Sequence, residues 1–322
     1  MENRKLTYYK EKVLAGERLN REEALALWPV EPDSLCRAAD EIRRRFCGDR
    51  FDLCAIVNGK SGRCSEDCKF CAQSAHYGGC RETYELLDTA DLLREALYNA
   101  ERGVLRFAVV TSGRRLTDGE VDRLCESYRT MKARSGLALC ASCGLLTAGQ
   151  FTRLRAAGVS RYHNNLETSR RYFPAVCSTH TYDQKLQTIR AAQEAGLKVC
   201  SGGIIGMGET PADRIDMALE LRELGIDSVP LNILNPIPGT PFARLEPLSE
   251  EEVCRTAALF RFLLPGAMIR MAGGRGLLPG RGVRCFTSGA NAAITGDMLT
   301  TAGVGIATDR AMLEKLGYEV RL

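Results

Sequence analysis

The chain has 322 residues, a length that suits one closed α/β barrel or two ordinary domains. Apolar residues make up 45% and charged residues 26%, so a large core can form and global disorder is excluded. Lys and Arg total 44 against 40 Asp and Glu, and the net charge of +4 makes no case for nucleic acid. No apolar run approaches the roughly 20 residues of a membrane span. The charged start, MENRKLTYYKEKVLAGERLN, lacks the apolar centre of an export signal. The expectation is a cytoplasmic protein that engages neither nucleic acid nor membrane. In such a chain the 14 cysteines read as metal ligands, catalytic thiols or core, not as a disulfide framework.

Residues 1–50 read as a helical N-terminal extension. Apolar residues fall at helical spacing over 21–28 and 34–47, with Asp33 or Ser34 as the cap of the second helix. Residues 51–322 change to short apolar runs alternating with amphipathic stretches. Strands are predicted at 52–58, 105–111, 137–142, 160–165, 197–203, 228–233, 268–272 and 288–294. Helices are predicted between them at 88–102, 118–134, 147–157, 182–195, 211–224 and 249–264, with a terminal helix at 308–317. This rhythm predicts an α/β fold, a (β/α)8 TIM-type barrel in one catalytic domain, with an open doubly wound sheet as the alternative. In a barrel, functional groups gather at the C-terminal ends of the strands.

The loop after the first strand, GKSGRCSEDCKFC, places Cys64, Cys68 and Cys71 in a C-x3-C-x2-C pattern. Three adjacent thiolates suit a cubane iron–sulfur cluster with one iron open to a ligand. A structural zinc site wants a fourth ligand, for which only His76 and Cys80 lie nearby. The pattern, with Phe70 as its aromatic, resembles the signature of radical S-adenosylmethionine enzymes. The resemblance implies a [4Fe–4S] cluster that chelates S-adenosylmethionine and cleaves it to a 5′-deoxyadenosyl radical. It puts Phe70 near the adenine, a role compatible with an aromatic of the core.

A second constellation lies on later strands: Cys140 and Cys143 (LALCASCG), Asn165 and Glu167 (YHNNLETS), Cys200 (KVCSGG), Asn232 (SVPLNILNPIPGTP) and Arg270 (MIRMAGGR). Inward side chains of a closed barrel converge in its lumen. A single buried cysteine there would be ordinary core; several with an inward arginine are not. Over residues 50–305 these segments resemble the biotin synthase family, whose enzymes insert sulfur into dethiobiotin. Carried over residue by residue, the resemblance makes Cys140, Cys200 and Arg270 ligands of an auxiliary iron–sulfur cluster. It assigns Asn165 and Glu167 to the ribose and nearby substrate, where the motif usually has Asp at the second position. It assigns Asn232 to the ureido ring. Gly206, Gly208 and Glu209 match the segment that approaches the methionine moiety, and Lys185 falls where an Arg often meets its carboxylate. Thr300 and Thr301 are candidate donors to the dethiobiotin carboxylate.

The chain departs from the family at Ala108. After the Arg106-Phe107 pair the family carries another cluster cysteine, and alanine cannot ligate iron. The expectation is that Cys143 compensates, so that Cys140, Cys143 and Cys200 hold a rearranged cluster. That cluster is either [2Fe–2S] or a four-iron form bearing an additional sulfide. In a continuous strand residues 140 and 143 face opposite ways, so this requires a turn at Ser142–Cys143. A second departure is His163, where the motif has Asn; it can meet a urea-like ring or pack beside the site.

Cys36, Cys47, Cys125, Cys177 and Cys254 lie on predicted helices or their ends without partner spacing, Cys54 reads as core, and Cys80 and Cys285 have no clear role. The family resemblance further implies an electron donor such as flavodoxin or ferredoxin, and a homodimer. Hydrogenase-maturase and methylornithine-synthase types share the barrel and first cluster without needing the lumenal set. A non-catalytic iron–sulfur electron carrier is the alternative of a different class.

Overall fold

The computed structural model describes residues 2–78, 82–296 and 303–322. Ten strands form one sheet: β1 (Arg50–Lys60), β2 (Arg106–Thr111), β3 (Ala138–Ser142), β4 (Val159–His163), β5 (Lys198–Cys200), β6 (Gly203–Ile205), β7 (Ser228–Ile233), β8 (Met268–Met271), β9 (Ala292–Thr295) and β10 (Glu319–Val320). All these strand pairs are parallel, and β1 pairs with both β2 and β9, so the sheet closes. β5 and β6 are two pieces of one barrel position, both against β7, and β10 adds beside the start of β1. Eight positions with helices outside make a TIM-type (β/α)8 barrel.

The barrel strands are covered on two faces, which is why they read as continuous apolar runs rather than alternating ones. On β1, Phe51, Leu53 and Ala55 pack into the core under the helices, while Cys54 and Ile56 face the lumen. The outer helices start at the C-terminal mouth of the barrel, and four share one device. Thr117 with Glu120, Thr147 with Gln150, Thr181 with Gln184 and Thr210 with Asp213 form capping boxes. Each satisfies backbone N–H groups that the first turn leaves open, and so fixes a loop at the functional face.

Three boundaries differ from the sequence expectation. The helix Pro32–Cys47 is capped by Glu31, whose carboxylate accepts from the Asp33 and Ser34 N–H groups at 2.9 and 2.7 Å, with Pro32 in the first turn. An N-terminal helix spans Glu2–Leu14 and packs against it. The last barrel strand is Ala292–Thr295 rather than 288–294, because Pro279–Thr287 forms 3-10 turns through left-handed Gly280, Arg281 and Gly282. Among the described residues no helix is long and apolar enough to cross a membrane.

Candidate active site in the barrel lumen

A cavity of about 340 Å³ opens at the C-terminal mouth and runs down the barrel axis. Its walls come from alternate residues of nearly every strand, as barrel geometry requires. Deep in it stand Cys54 from β1, Cys140 from β3, Cys200 from β5 and Arg270 from β8. Arg106, Arg161 and His163 complete the polar wall. Ala108 also lines the cavity and pairs in register with Cys140.

The arginines are fixed differently. Asp52, at the base, accepts from Arg106 Nε at 2.8 Å and pairs with Arg270 Nη2 at 3.1 Å. Arg270 Nη1 also donates to the Asp52 and Ala293 carbonyls at 3.0 Å each. Burial alone would raise the Asp52 carboxyl, but Arg270 and Arg106 overcome it and hold it below the ordinary carboxylate value. Arg161 reaches Asp227 with Nη2 at 3.2 Å, while its buried Nε and Nη1 have no partner among the described residues. Three guanidiniums thus stand against the buried Asp52 and the exposed Asp227. The excess positive charge and unspent donors suit an anionic, thiolate-bound cluster.

The thiols sense this field. Burial pushes Cys140 up to about 11. Burial also raises Cys200, but a hydrogen bond and charge from His163, with Arg270 and Arg161 beyond, bring it down to about 7. Cys200 Sγ lies 3.3 Å from Ser228 Oγ. Cys143, by contrast, is fully buried outside the lumen, in the core between the strands and helices that also holds Cys125, Tyr128 and Tyr162. β3 ends at Ser142, and the Cys143 N–H donates to Tyr162 Oη at 3.1 Å. The turn needed to bring Cys143 to Cys140 does not form; residue parity holds, and Cys54 is the third lumenal thiol.

Above the lumen, the loop after β1 carries Cys64, Cys68 and Cys71, all free thiols. The loop is pinned by Cys64 N–H to Gln73 O at 3.0 Å, Ala75 N–H to Cys64 O at 2.8 Å and Cys71 N–H to Cys68 O at 2.9 Å. Cys71 and Phe70 line the cavity mouth. Phe70 packs beside Ile204, Met207 and Leu234. The three thiols share one short, braced loop, but only Cys71 reaches the cavity, and Cys68 Sγ faces Cys177 Sγ at 3.8 Å rather than its two loop partners.

Residues 60–234 match the Radical SAM superfamily, and residues 230–319 match the Biotin and Thiamin Synthesis associated domain. Biotin synthase of Akkermansia muciniphila is 59% identical over 311 residues, covering 97% of each chain. Biotin synthase of Clostridium botulinum (strain Alaska E43) is 52% identical over 312 residues, covering 97% of this chain and 98% of that one. The chain belongs to the biotin synthase family. A crystal structure of methylornithine synthase superposes with a TM-score of 0.82 at 19% identity, covering 98% of this chain and 97% of that one. A maturase of the [FeFe]-hydrogenase gives 0.84 at 18%, covering 98% and 75%. At such identity these two share the fold alone.

Several expected biotin synthase residues meet in the cavity. Asn165 and Glu167 line it, joined by Asn165 Nδ2 to Glu167 Oε2 at 3.4 Å, and Asn165 Oδ1 accepts from the Gly202 N–H at 3.1 Å. Glu167 adopts a left-handed φ of 72°. Its carbonyl passes so close to Gly203 that a Cβ there would stand 2.3 Å away, so position 203 admits no side chain. Asn232 spans two strands, donating to Gly203 O at 3.1 Å and accepting from the Gly273 N–H at 2.9 Å. Its amide keeps one donor and one lone pair for the cavity.

Others stand apart. Glu209 takes the Gly206 and Met207 N–H groups at 2.8 and 2.7 Å and Arg214 Nε at 2.7 Å. It braces its own loop, in which Gly206 and Gly208 have left-handed φ, and its carboxylate does not line the cavity. Lys185 lies on the helix Tyr182–Glu194, and its charge only partly offsets the upward push that the Cys177 hydrogen bond and burial give the Cys68 thiol. Thr300, Thr301 and Cys80 fall outside the described residues. Sequence reasoning missed Cys54. Its signal was parity with Asp52, a charged residue two positions earlier on a strand with no polar face to spare.

Proposed function

We propose that the chain converts dethiobiotin to biotin, with Cys64, Cys68 and Cys71 holding the [4Fe–4S] cluster that binds S-adenosylmethionine. Cys54, Cys140 and Cys200 hold the auxiliary cluster, with Arg270 beside it as a cationic neighbour. The observation that carries this is one cavity with Cys54, Cys140 and Cys200 at its base and Cys71, a member of the C-x3-C-x2-C loop, at its mouth. When bound, the first cluster with S-adenosylmethionine supplies a hydrogen-abstracting radical, and the second supplies sulfur. Three thiolate ligands support a four-iron auxiliary cluster carrying an extra sulfide over a [2Fe–2S] one, since Arg270 is already engaged by Asp52 and two carbonyls.

The chain's own groups do the rest. Asn165 and Glu167 orient the nucleoside between the two sites, and Asn232 and His163 offer hydrogen bonds to a urea-like ring. Ile56, Val110, Ile204 and Ile294 line the walls around them and exclude water. Residues 1–50 serve as an extension and 51–322 as the catalytic unit. Family membership supports a flavodoxin or ferredoxin as electron donor and a homodimer. The free thiols throughout the described residues suit the reducing cytoplasm.

The test is anaerobic turnover of the iron- and sulfide-loaded chain with S-adenosylmethionine, a one-electron reductant and dethiobiotin. Biotin and 5′-deoxyadenosine are expected together. Release of 5′-deoxyadenosine with no biotin, both clusters being intact, rejects the proposal.

A further inference from the structure

We propose that in the cluster-free chain Cys68, Cys177 and His180 form a binding site for a single divalent thiophilic metal ion. The three residues come from two segments far apart in sequence. Cys68 sits on the loop after β1, and Cys177 and His180 follow the short helix Phe173–Val176. Cys68 Sγ lies 3.8 Å from Cys177 Sγ, Cys177 Sγ lies 3.3 Å from His180 Nδ1, and all three donor atoms fall within 4.8 Å of one another.

These separations have a meaning. An ion holding sulfur at about 2.3 Å and nitrogen at about 2.0 Å in a tetrahedron puts its sulfur–sulfur edge at ~3.8 Å and its sulfur–nitrogen edge at ~3.5 Å. The Cys68–Cys177 and Cys177–His180 separations match those edges, and the remaining one, Cys68 to His180, lies within 4.8 Å. Two thiolates and an imidazole favour zinc, cobalt or ferrous iron over magnesium or calcium. A fourth donor is at hand: Glu66 Oε2 is 2.6 Å from His180 Nδ1, and Asp67 Oδ1 is 3.2 Å from Cys177 Sγ. Thr179 Oγ1 donates to Glu66 Oε2 at 2.9 Å and so holds that carboxylate at the ring.

Binding is a proton exchange with no redox step. The ion replaces the thiol protons of the two cysteines, and the Nδ1 proton that His180 gives to Glu66 moves to the partnerless ring Nε2, which frees the Nδ1 lone pair for the metal. Two thiolates then neutralise the dication. Cys177 and His180 are 3% and 7% exposed, so the ion enters from the half-buried Cys68 side. Cys68 also belongs to the C-x3-C-x2-C triad, so the single ion and the four-iron cluster exclude each other. An ion parked here withholds one ligand from cluster assembly. This goes beyond the biotin chemistry and uses neither S-adenosylmethionine nor dethiobiotin, so it can fail while that function stands.

Cobalt(II) is the probe, added anaerobically to the full chain stripped of clusters. The wild type is expected to show thiolate-to-cobalt charge-transfer absorption with tetrahedral d–d bands. Cys177→Ser should bind one equivalent fewer, and Cys71→Ser should keep that equivalent. His180→Gln should keep the charge-transfer band and shift the d–d bands. Equal binding and spectra in wild type and Cys177→Ser would overturn the proposal, as would loss of the equivalent in Cys71→Ser. A second measurement needs no intact variant spectrum. One equivalent of zinc should slow rebuilding of the cluster chromophore from ferrous iron and sulfide several-fold in the wild type. It should not do so in Cys177→Ser, and equal slowing in both contradicts the site.

Discussion

Asp52→Asn tests whether the lumen is electrostatically built around one carboxylate. Asp52 is 3% exposed and neutralises Arg106 at 2.8 Å and Arg270 at 3.1 Å. The amide keeps the shape and removes the charge, leaving the buried Arg270 and the half-buried Arg106 uncompensated. Breaking a buried pair in this way costs about 3–5 kcal/mol. For a chain of this size that corresponds to a fall in Tm of roughly 4–7 °C. The assay is urea unfolding of cluster-free protein, so that metal binding adds nothing to stability. The sign with pH follows from Asp52 being held below its ordinary value. Its contribution is complete above the unfolded carboxyl's value, about 3.9, and is lost as pH falls through the lower folded value. The gap between wild type and variant should therefore be flat from neutral pH down to about 5 and narrow only below about 4. Adding Arg106→Met should recover part of the loss, because one unpaired cation goes with it. A gap under about 1 kcal/mol, the scale of an exposed pair, or one that closes near neutral pH, would refute the reasoning.

Other outcomes follow from particular contacts. Replacing Cys64, Cys68 and Cys71 together with alanine should abolish 5′-deoxyadenosine formation yet retain the auxiliary cluster's visible absorption, read by iron and sulfide content. Glu209→Gln replaces an acceptor of two N–H groups and an Arg214 bond with an amide that cannot accept them all, costing about 2–4 kcal/mol in urea unfolding. Gly203→Ala drives a Cβ toward the Glu167 carbonyl. It should displace Glu167 and weaken S-adenosylmethionine binding at least tenfold by equilibrium titration, with Tm also reduced.

The barrel was legible because strands buried on two faces form apolar runs, and capped amphipathic helices separate them. The helix at 118–134 was placed to the residue, and its Thr117–Glu120 capping box explains why. The last strand was misplaced because Ser288–Ala292 is as apolar and small as a strand, while the 3-10 turns before it depend on left-handed Gly280 and Gly282. The mouth triad was readable from local spacing alone. The lumenal triad was not, since its members sit on β1, β3 and β5 and meet only by closure. Proximity in sequence favoured Cys143 as partner of Cys140. Strand parity sends Cys143 to the core beside Tyr162. Cys177 and His180 had no signal either, because their partner Cys68 is over a hundred residues away.

The central claim is that two cysteine triads serve one cavity, with Cys54 standing in for the cysteine missing at Ala108. The most direct measurement is anaerobic Mössbauer spectroscopy with iron and sulfide counts on Cys54→Ala and Cys143→Ala, each loaded in parallel with the wild type. Cys54→Ala should lose the auxiliary signal and keep the radical-generating cluster. Cys143→Ala should keep both, at a cost of about 1–2 kcal/mol for a small buried void. An auxiliary signal unchanged in Cys54→Ala and lost in folded Cys143→Ala would contradict the account.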